Sequence, residues 1–163
     1  MNKIFKYLSI VLFSFFISTG VFSKTEVVYI PKNTGNPYFD SIIKGFEVGA
    51  EKYGYNFTTV APATADATSQ LPFIKAQIQR GVDVIAISPN SNDALNTVFD
   101  QAKKKGIIIM VVNGDIPGSE DHRDVAIMPV DFSTIGTAQM TLMGQLIDQK
   151  GQFAILSATT DAP

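Results

Sequence analysis

Three short stretches of this chain carry residues able to hold a small, hydroxyl-rich molecule. They are Pro31-Lys32-Asn33-Thr34-Gly35-Asn36-Pro37-Tyr38-Phe39, Ser88-Pro89-Asn90 and Asn113-Gly114-Asp115. Planar Asn and Asp side chains bridge neighbouring hydroxyls, and an amide donates and accepts at once. Aromatic rings pack on the apolar C–H face of a sugar ring. Lys32 adds a point-charge donor. Each residue also has a plainer role open to it. Phe39 lies on the apolar stripe of a helix and could be core. Asn36 could only cap that helix, and Asn113-Gly114 is a turn signal. What gives the set its weight is where the elements must place it.

Those elements alternate. Glu26 to Ile30 is a brief β-branched run, expected as a buried strand. Asn36-Pro37 starts a helix, with Phe39, Ile43, Phe46, Ala50 and Tyr53 at helical spacing and Gly54 closing it. Further strands are expected over Asn56–Val60, Val82–Ile87, Ile107–Val112, Val125–Val130 and Phe153–Ser157. Between them lie a helix bearing Leu71, Ile74 and Ile78, one capped by Ser91-Asn92-Asp93 and bearing Leu95, Val98, Phe99 and Ala102, and one over Ser133–Asp148. Strands alternating with helices mean an α/β fold, a parallel sheet flanked by helices on both faces. In such a sheet ligands bind beyond the carboxyl ends of the strands. The three stretches follow the first, third and fourth strands, so they converge on one edge.

The first 23 residues differ from the rest. Lys3 and Lys6 precede an apolar run from Tyr7 to Phe22, and Val21 and Ser23 are small enough for a cleavage site. This reads as a signal peptide over residues 1–23, cut after Ser23. Its loss removes two lysines and no acids, taking the net charge from −2 to −4. An acidic balance gives no case for nucleic acid or an anionic membrane as partner. The chain has no cysteine, which excludes disulfides, thiol catalysis and lipid anchoring through a cysteine. Soluble export without disulfides fits a periplasm.

Catalytic signatures are missing. No Gly-x-Gly-x-x-Gly follows the first strand, no phosphate-binding Gly-Lys-Ser/Thr loop is present, and no Gly-x-Ser-x-Gly occurs. The one histidine, His122, lies in the polar stretch SEDHRD and is expected to be a solvated turn residue. A single histidine without clustered partners makes neither a metal site nor a triad. No catalytic residue, metal ligand or cofactor is therefore assigned. Asp161 follows the final expected strand and could face a cleft.

NTGNPYFDSIIKGFEVGAEKYGY resembles the first loop and helix of the type I periplasmic sugar-binding proteins, the ribose-binding group. GVDVIAISPNSNDAL resembles that family's third strand and following loop, and VVNGD stands where its ligand-binding Asp or Asn follows the fourth strand. The start Lys32-Asn33-Thr34-Gly35 is most similar to the rhamnose-binding and autoinducer-2-binding branch. The resemblance implies a receptor that delivers a sugar to an ABC transporter permease, a role compatible with docking to a chemoreceptor. It implies that Asn36, Tyr38 and Phe39 hydrogen-bond and stack on the sugar, that Lys32 is the branch's cation, and that Ser88 and Asn113 face the cleft. That branch has Asp where Asn113 stands, with a second Asp at Asp115. Family members have two lobes and about twice this length. By that pattern residues 24–130 form the first lobe, and residues 131–163 cross over and only begin the second, in a truncated chain. The effector domain of a LacI-type repressor shares the fold, but it carries a DNA-binding helix-turn-helix where this chain has an apolar export segment. A flavodoxin-like or Rossmann-like enzyme is the more distant alternative.

Overall fold

The computed structural model describes residues 23–91, 93–115, 118–129 and 131–156. The expected signal peptide, apart from Ser23, and Asp161 lie outside the described residues.

Five parallel strands form one sheet in the order β2-β1-β3-β4-β5: β1 Glu26–Ile30, β2 Asn56–Thr59, β3 Val84–Ile87, β4 Ile108–Val112 and β5 Val125–Ile127. The register pairs Val27 with both Phe57 and Val84, Ile85 with Ile109, and Val111 with Ala126. The helices are α1 Pro37–Tyr53, α2 Leu71–Arg80, α3 Asn96–Lys104 and α4 Phe132–Leu146. The expected architecture is therefore present, and every strand points its carboxyl end to the same edge.

Strand side chains alternate between the two faces of a sheet, and here the faces are covered unequally. Val28, Ile30, Ile85, Ile87, Ile109 and Val111 meet Ile74 and Ile78 of α2 and Val98, Phe99 and Ala102 of α3 in the main core. On the other face Tyr29, Ala86 and Val112 meet Phe39 of α1, with Ile42, Ile43 and Phe46 alongside. The Phe46 ring stacks between Tyr29 at 5.1 Å and Phe57 at 5.4 Å. Among the described residues α1 alone lies over that face. Beside it an apolar groove of about 520 Å³ runs over Val27, Val84, Ile108, Met110 and Ile127.

Three expectations are corrected. Of the strand expected over Phe153–Ser157, residues 153–156 form none, although they are apolar: Ile155 and Leu156 are exposed, and a strand exists only where a neighbour takes its backbone hydrogen bonds; Ser157 lies outside the described residues. The Ser91 hydroxyl caps a turn before the helix, accepting from the amides of Asp93 and Ala94, while α3 itself starts at Asn96 without a side-chain cap. Asn92 lies outside the described residues. His122 is no free turn residue. It ends a short 3₁₀ turn, Glu120–His122, and its Nδ1 lies 2.7 Å from Asp100 Oδ1 on α3. Lys103, one helical turn on, donates to the carbonyl of Asp121 at 2.7 Å and pairs with Asp124. The acidic and basic groups of α3 thus hold the segment that precedes β5.

Helix α4 begins as its sequence demands. Asp131 caps it, accepting from the Ser133 amide at 3.0 Å and from the Thr134 hydroxyl. No residue of α4 is buried.

Candidate functional site

The loop after β1 is shaped by local chemistry. Gly35 takes a left-handed φ of 71°, and the Thr34 amide reaches the Pro62 carbonyl at 2.9 Å. Asn36 is extended and accepts the Tyr38 amide at 3.1 Å, and Pro37 occupies the first helical turn, where its missing N–H costs nothing. This start sends the next two rings in different directions. Phe39 is buried against the sheet, while Tyr38 stays 54% exposed. The rings meet edge-on at 5.3 Å.

At the end of β4, Asn113 holds a left-handed φ of 71°, a conformation that Asn tolerates better than most residues. Its amide donates to the Ile127 carbonyl at 2.9 Å, joining the ends of β4 and β5. Its side-chain Oδ1 accepts the Tyr38 hydroxyl. Asp115 is turned to another partner. The Arg123 guanidinium grips it with two donors, Nε to Oδ1 at 2.7 Å and Nη2 to Oδ2. Hydrogen bonding to Asp115 raises the Arg123 pKa above its ordinary value.

The end of β3 is fully buried. The Ser88 hydroxyl sits 2.8 Å from the Tyr29 hydroxyl and donates to the Val112 carbonyl at 2.9 Å. Burial pushes the Tyr29 phenol up to about 12, against the lowering effect of its bond to Ser88. Ser88 thereby ties β1, β3 and β4 together just beneath the edge. Lys32 is half-buried on the loop after β1. Burial lowers its pKa, because a desolvated ammonium is disfavoured. Its Nζ has no hydrogen-bond or ion-pair partner among the described residues.

Of the seven residues read from the sequence, the structure links Tyr38 to Phe39 and to Asn113, and places Lys32 and Asn36 on the same loop. Phe39 and Ser88 lie below the surface, and Asp115 is held by Arg123. Two residues escaped the sequence reading as parts of this edge. Gln70 has no exposed surface and bonds to Pro31, Ser88 and Asn90. Its signal was its phase: Gln70, Ile74 and Ile78 are spaced by four, on one helical stripe. Arg123 lies eight residues from Asp115 across a loop, and no periodicity announces such a pair.

The apolar groove beside α1 is larger than the opening of about 230 Å³ along Pro31 and Asn33–Asn36, but its walls are almost wholly carbon and offer little to orient a polyol. The polar edge is the candidate that suits a polyol better.

The sequence matches the model of the periplasmic binding protein domain over residues 27–163. It is 32% identical over 111 residues to the D-allose-binding periplasmic protein of Escherichia coli, covering 68% of this chain and 36% of that one. It is 31% identical over 78 residues to the ribose import binding protein RbsB of Bacillus subtilis, covering 48% of this chain and 25% of that one. The matched segments thus span well under half the length of these relatives. Among solved structures it is similar to an ABC transporter solute binding protein from Clostridium phytofermentas with bound L-rhamnose. The TM-score is 0.79 and the identity 28%, over 86% of this chain and 43% of that one. A solute binding protein from Burkholderia graminis in complex with D-arabinose gives a TM-score of 0.71 at 30% identity, over 78% of this chain and 43% of that one. With the family model covering all of the sheet but its first residue, and the edge just described, the chain belongs to the periplasmic binding protein domain family.

Proposed function

We propose that this protein captures a monosaccharide or a related small polyol in the periplasm and presents it to an ABC transporter permease, without catalysing a reaction. The observation that carries this reading is the exposed Tyr38 hydroxyl bonded to Asn113 at the carboxyl edge of the sheet, with Lys32, unpaired among the described residues, on the loop that leads into Tyr38. Tyr38 offers a ring face, Asn113 an amide, and Lys32 a cation that burial has stripped of part of its hydration. Asn36 completes the contacting set. Phe39 and Ser88 back it from below, and Asp115 braces the loop after β4 through Arg123. The relatives' names point to aldoses, and the solved neighbours hold L-rhamnose and D-arabinose. These are neutral rings with several adjacent hydroxyls, which suits the edge. In this reading residues 1–23 are an export signal, residues 24–130 the first lobe, and residues 131–163 the crossing to a second.

Calorimetric titration of the intact protein with D-allose, D-ribose, D-arabinose and L-rhamnose tests the proposal. Saturable one-to-one binding of at least one is expected, and heat from none of them would sink it. Export is read separately. The protein should collect in the periplasmic fraction of a Gram-negative host with Lys24 as its first residue, whereas cytoplasmic material that retains Met1 would contradict the assignment.

A further inference from the structure

Beneath the proposed site, one side-chain amide takes over where the sheet stops. The ladder between β1 and β3 pairs Ile30 with Ile87, and its last bond runs from the Ser88 amide to the Ile30 carbonyl at 3.0 Å. Beyond that point the two chains part, and the backbone groups of Pro31, Ser88 and Asn90 have no strand to pair with. Gln70, at the start of α2 and fully buried, meets all three. Its Nε2 donates to the Pro31 carbonyl at 3.1 Å and the Ser88 carbonyl at 2.8 Å, and its Oε1 accepts the Asn90 amide at 2.9 Å. Asn90, 1% exposed, extends the link outward. Its Nδ2 donates to the Lys32 carbonyl at 2.8 Å and to the Ser69 hydroxyl at 3.1 Å.

We propose that Gln70 and Asn90 form a buried amide clamp that fixes the loop from Lys32 to Asn36 against the end of β3, which makes Gln70 a positioning residue for the ligand edge. The binding consequence rests on the reading of that edge as a sugar site, while the clamp itself does not. The chemistry is specific to glutamine. The group must donate to two carbonyls and accept from one amide at once. Leucine fills a similar volume and meets none of the three groups. Glutamate keeps the acceptor for Asn90 but turns a second oxygen toward two carbonyls.

The test combines residue-resolved amide hydrogen exchange and sugar titration on the intact parent, Gln70→Leu and Gln70→Glu. In Gln70→Leu the amides of Asn90 and Thr34 should exchange faster by roughly tenfold or more, beyond any rise at Tyr29 and Ala86 in the middle of the strands. In Gln70→Glu the Thr34 amide should loosen while the Asn90 amide keeps its acceptor and stays protected. A uniform rise across the strands would make Gln70 an ordinary core residue and overturn the clamp, as would no rise at all. Should Gln70→Leu fail to fold, Asn90→Ala removes only the outer half of the link and is read in the same way at Thr34. For whichever of D-allose, D-ribose, D-arabinose and L-rhamnose the parent binds, Gln70→Leu should weaken binding about tenfold at a temperature where it remains folded. Parental affinity with loosened loops would overturn the positioning role. If the parent binds none of the four, the sugar reading falls, and the exchange pattern alone decides the clamp.

Discussion

The Tyr38 hydroxyl donates to Asn113 Oδ1 across 75 positions of sequence, joining the first turn of α1 to the end of β4. The bond lies at the surface, so it orients both side chains without shutting either away from a ligand. Asn113 also occupies a left-handed turn, and its two roles separate by substitution. Asn113→Gly keeps a residue suited to positive φ and removes the amide. In the intact protein it should leave Tm within a few degrees of the parent and weaken sugar binding by about 5- to 150-fold, the equivalent of about 1–3 kcal/mol for a buried hydrogen-bonding group left unpaired. Asn113→Ala should add a loss of stability, because alanine is strained at that φ. Parental affinity in Asn113→Gly, measured by calorimetry, would reduce the residue to a turn former.

Lys32 should show a conflict between stability and binding. Its folded-state pKa is lowered by burial, so the folded protein holds its proton less firmly than the unfolded chain. The sign follows from linkage. The penalty is fully present below the folded pKa and is relieved as pH rises through it toward the unfolded value. Lys32→Met removes the charge and keeps the stem. It should leave the unliganded protein equally stable or more stable, by up to about 0.5 kcal/mol, and weaken sugar binding. A melting temperature that falls while affinity holds would reverse both halves of the expectation.

His122 and Asp100 tie the 3₁₀ turn to α3, 2.7 Å apart and partly exposed. His122→Ala should cost about 0.2–1 kcal/mol, a small fall in Tm, and leave sugar affinity unchanged. Asp100→Asn should give a similar fall, and the double variant should cost less than the sum of the two singles. Full additivity in thermal melts would mean that the pair contributes nothing.

Asp131 carries a pH signature. The Thr134 hydroxyl and the amides of Thr134 and Ser133 lower its pKa, since each stabilises the carboxylate. A depressed folded pKa means stability that is present above the unfolded value and lost as pH falls through the folded one. Acidification below the ordinary carboxylate range should therefore fray the start of α4, seen as faster exchange of the Ser133 and Ile135 amides after correction for intrinsic rates. Asp131→Asn should flatten that dependence, because its amide oxygen caps at any pH. An identical acid response in the variant would assign the fraying to other groups.

Most strands and several helix ends were legible because their causes are local. β-branched runs, Asn36-Pro37 and the positive-φ glycines Gly54 and Gly81 announce elements within a few residues of themselves. The edge that gathers the polar loops followed from the alternation of strands and helices. What each side chain does there was less legible, because that depends on partners far away. Phe39 and Ser88 turned inward and Tyr38 outward, although Tyr38 and Phe39 are adjacent aromatic residues in the sequence. Gln70 reads as a polar residue at a helix start, and only the divergence of β1 and β3 makes it a buried link. The apolar run at 153–156 had strand composition without a neighbour to pair with among the described residues, which composition cannot supply.

The parallel order of the sheet also bears on how fast it forms. Val27, on the second strand of the five, pairs with Phe57 on one side and Val84 on the other, and no two neighbouring strands are joined by a tight hairpin. Chain entropy must be given up in closing these loops before any pairing compensates for it. The first strand therefore cannot gain its second neighbour until residue 87 is in place. Refolding from denaturant should accordingly be slow for a chain of this size.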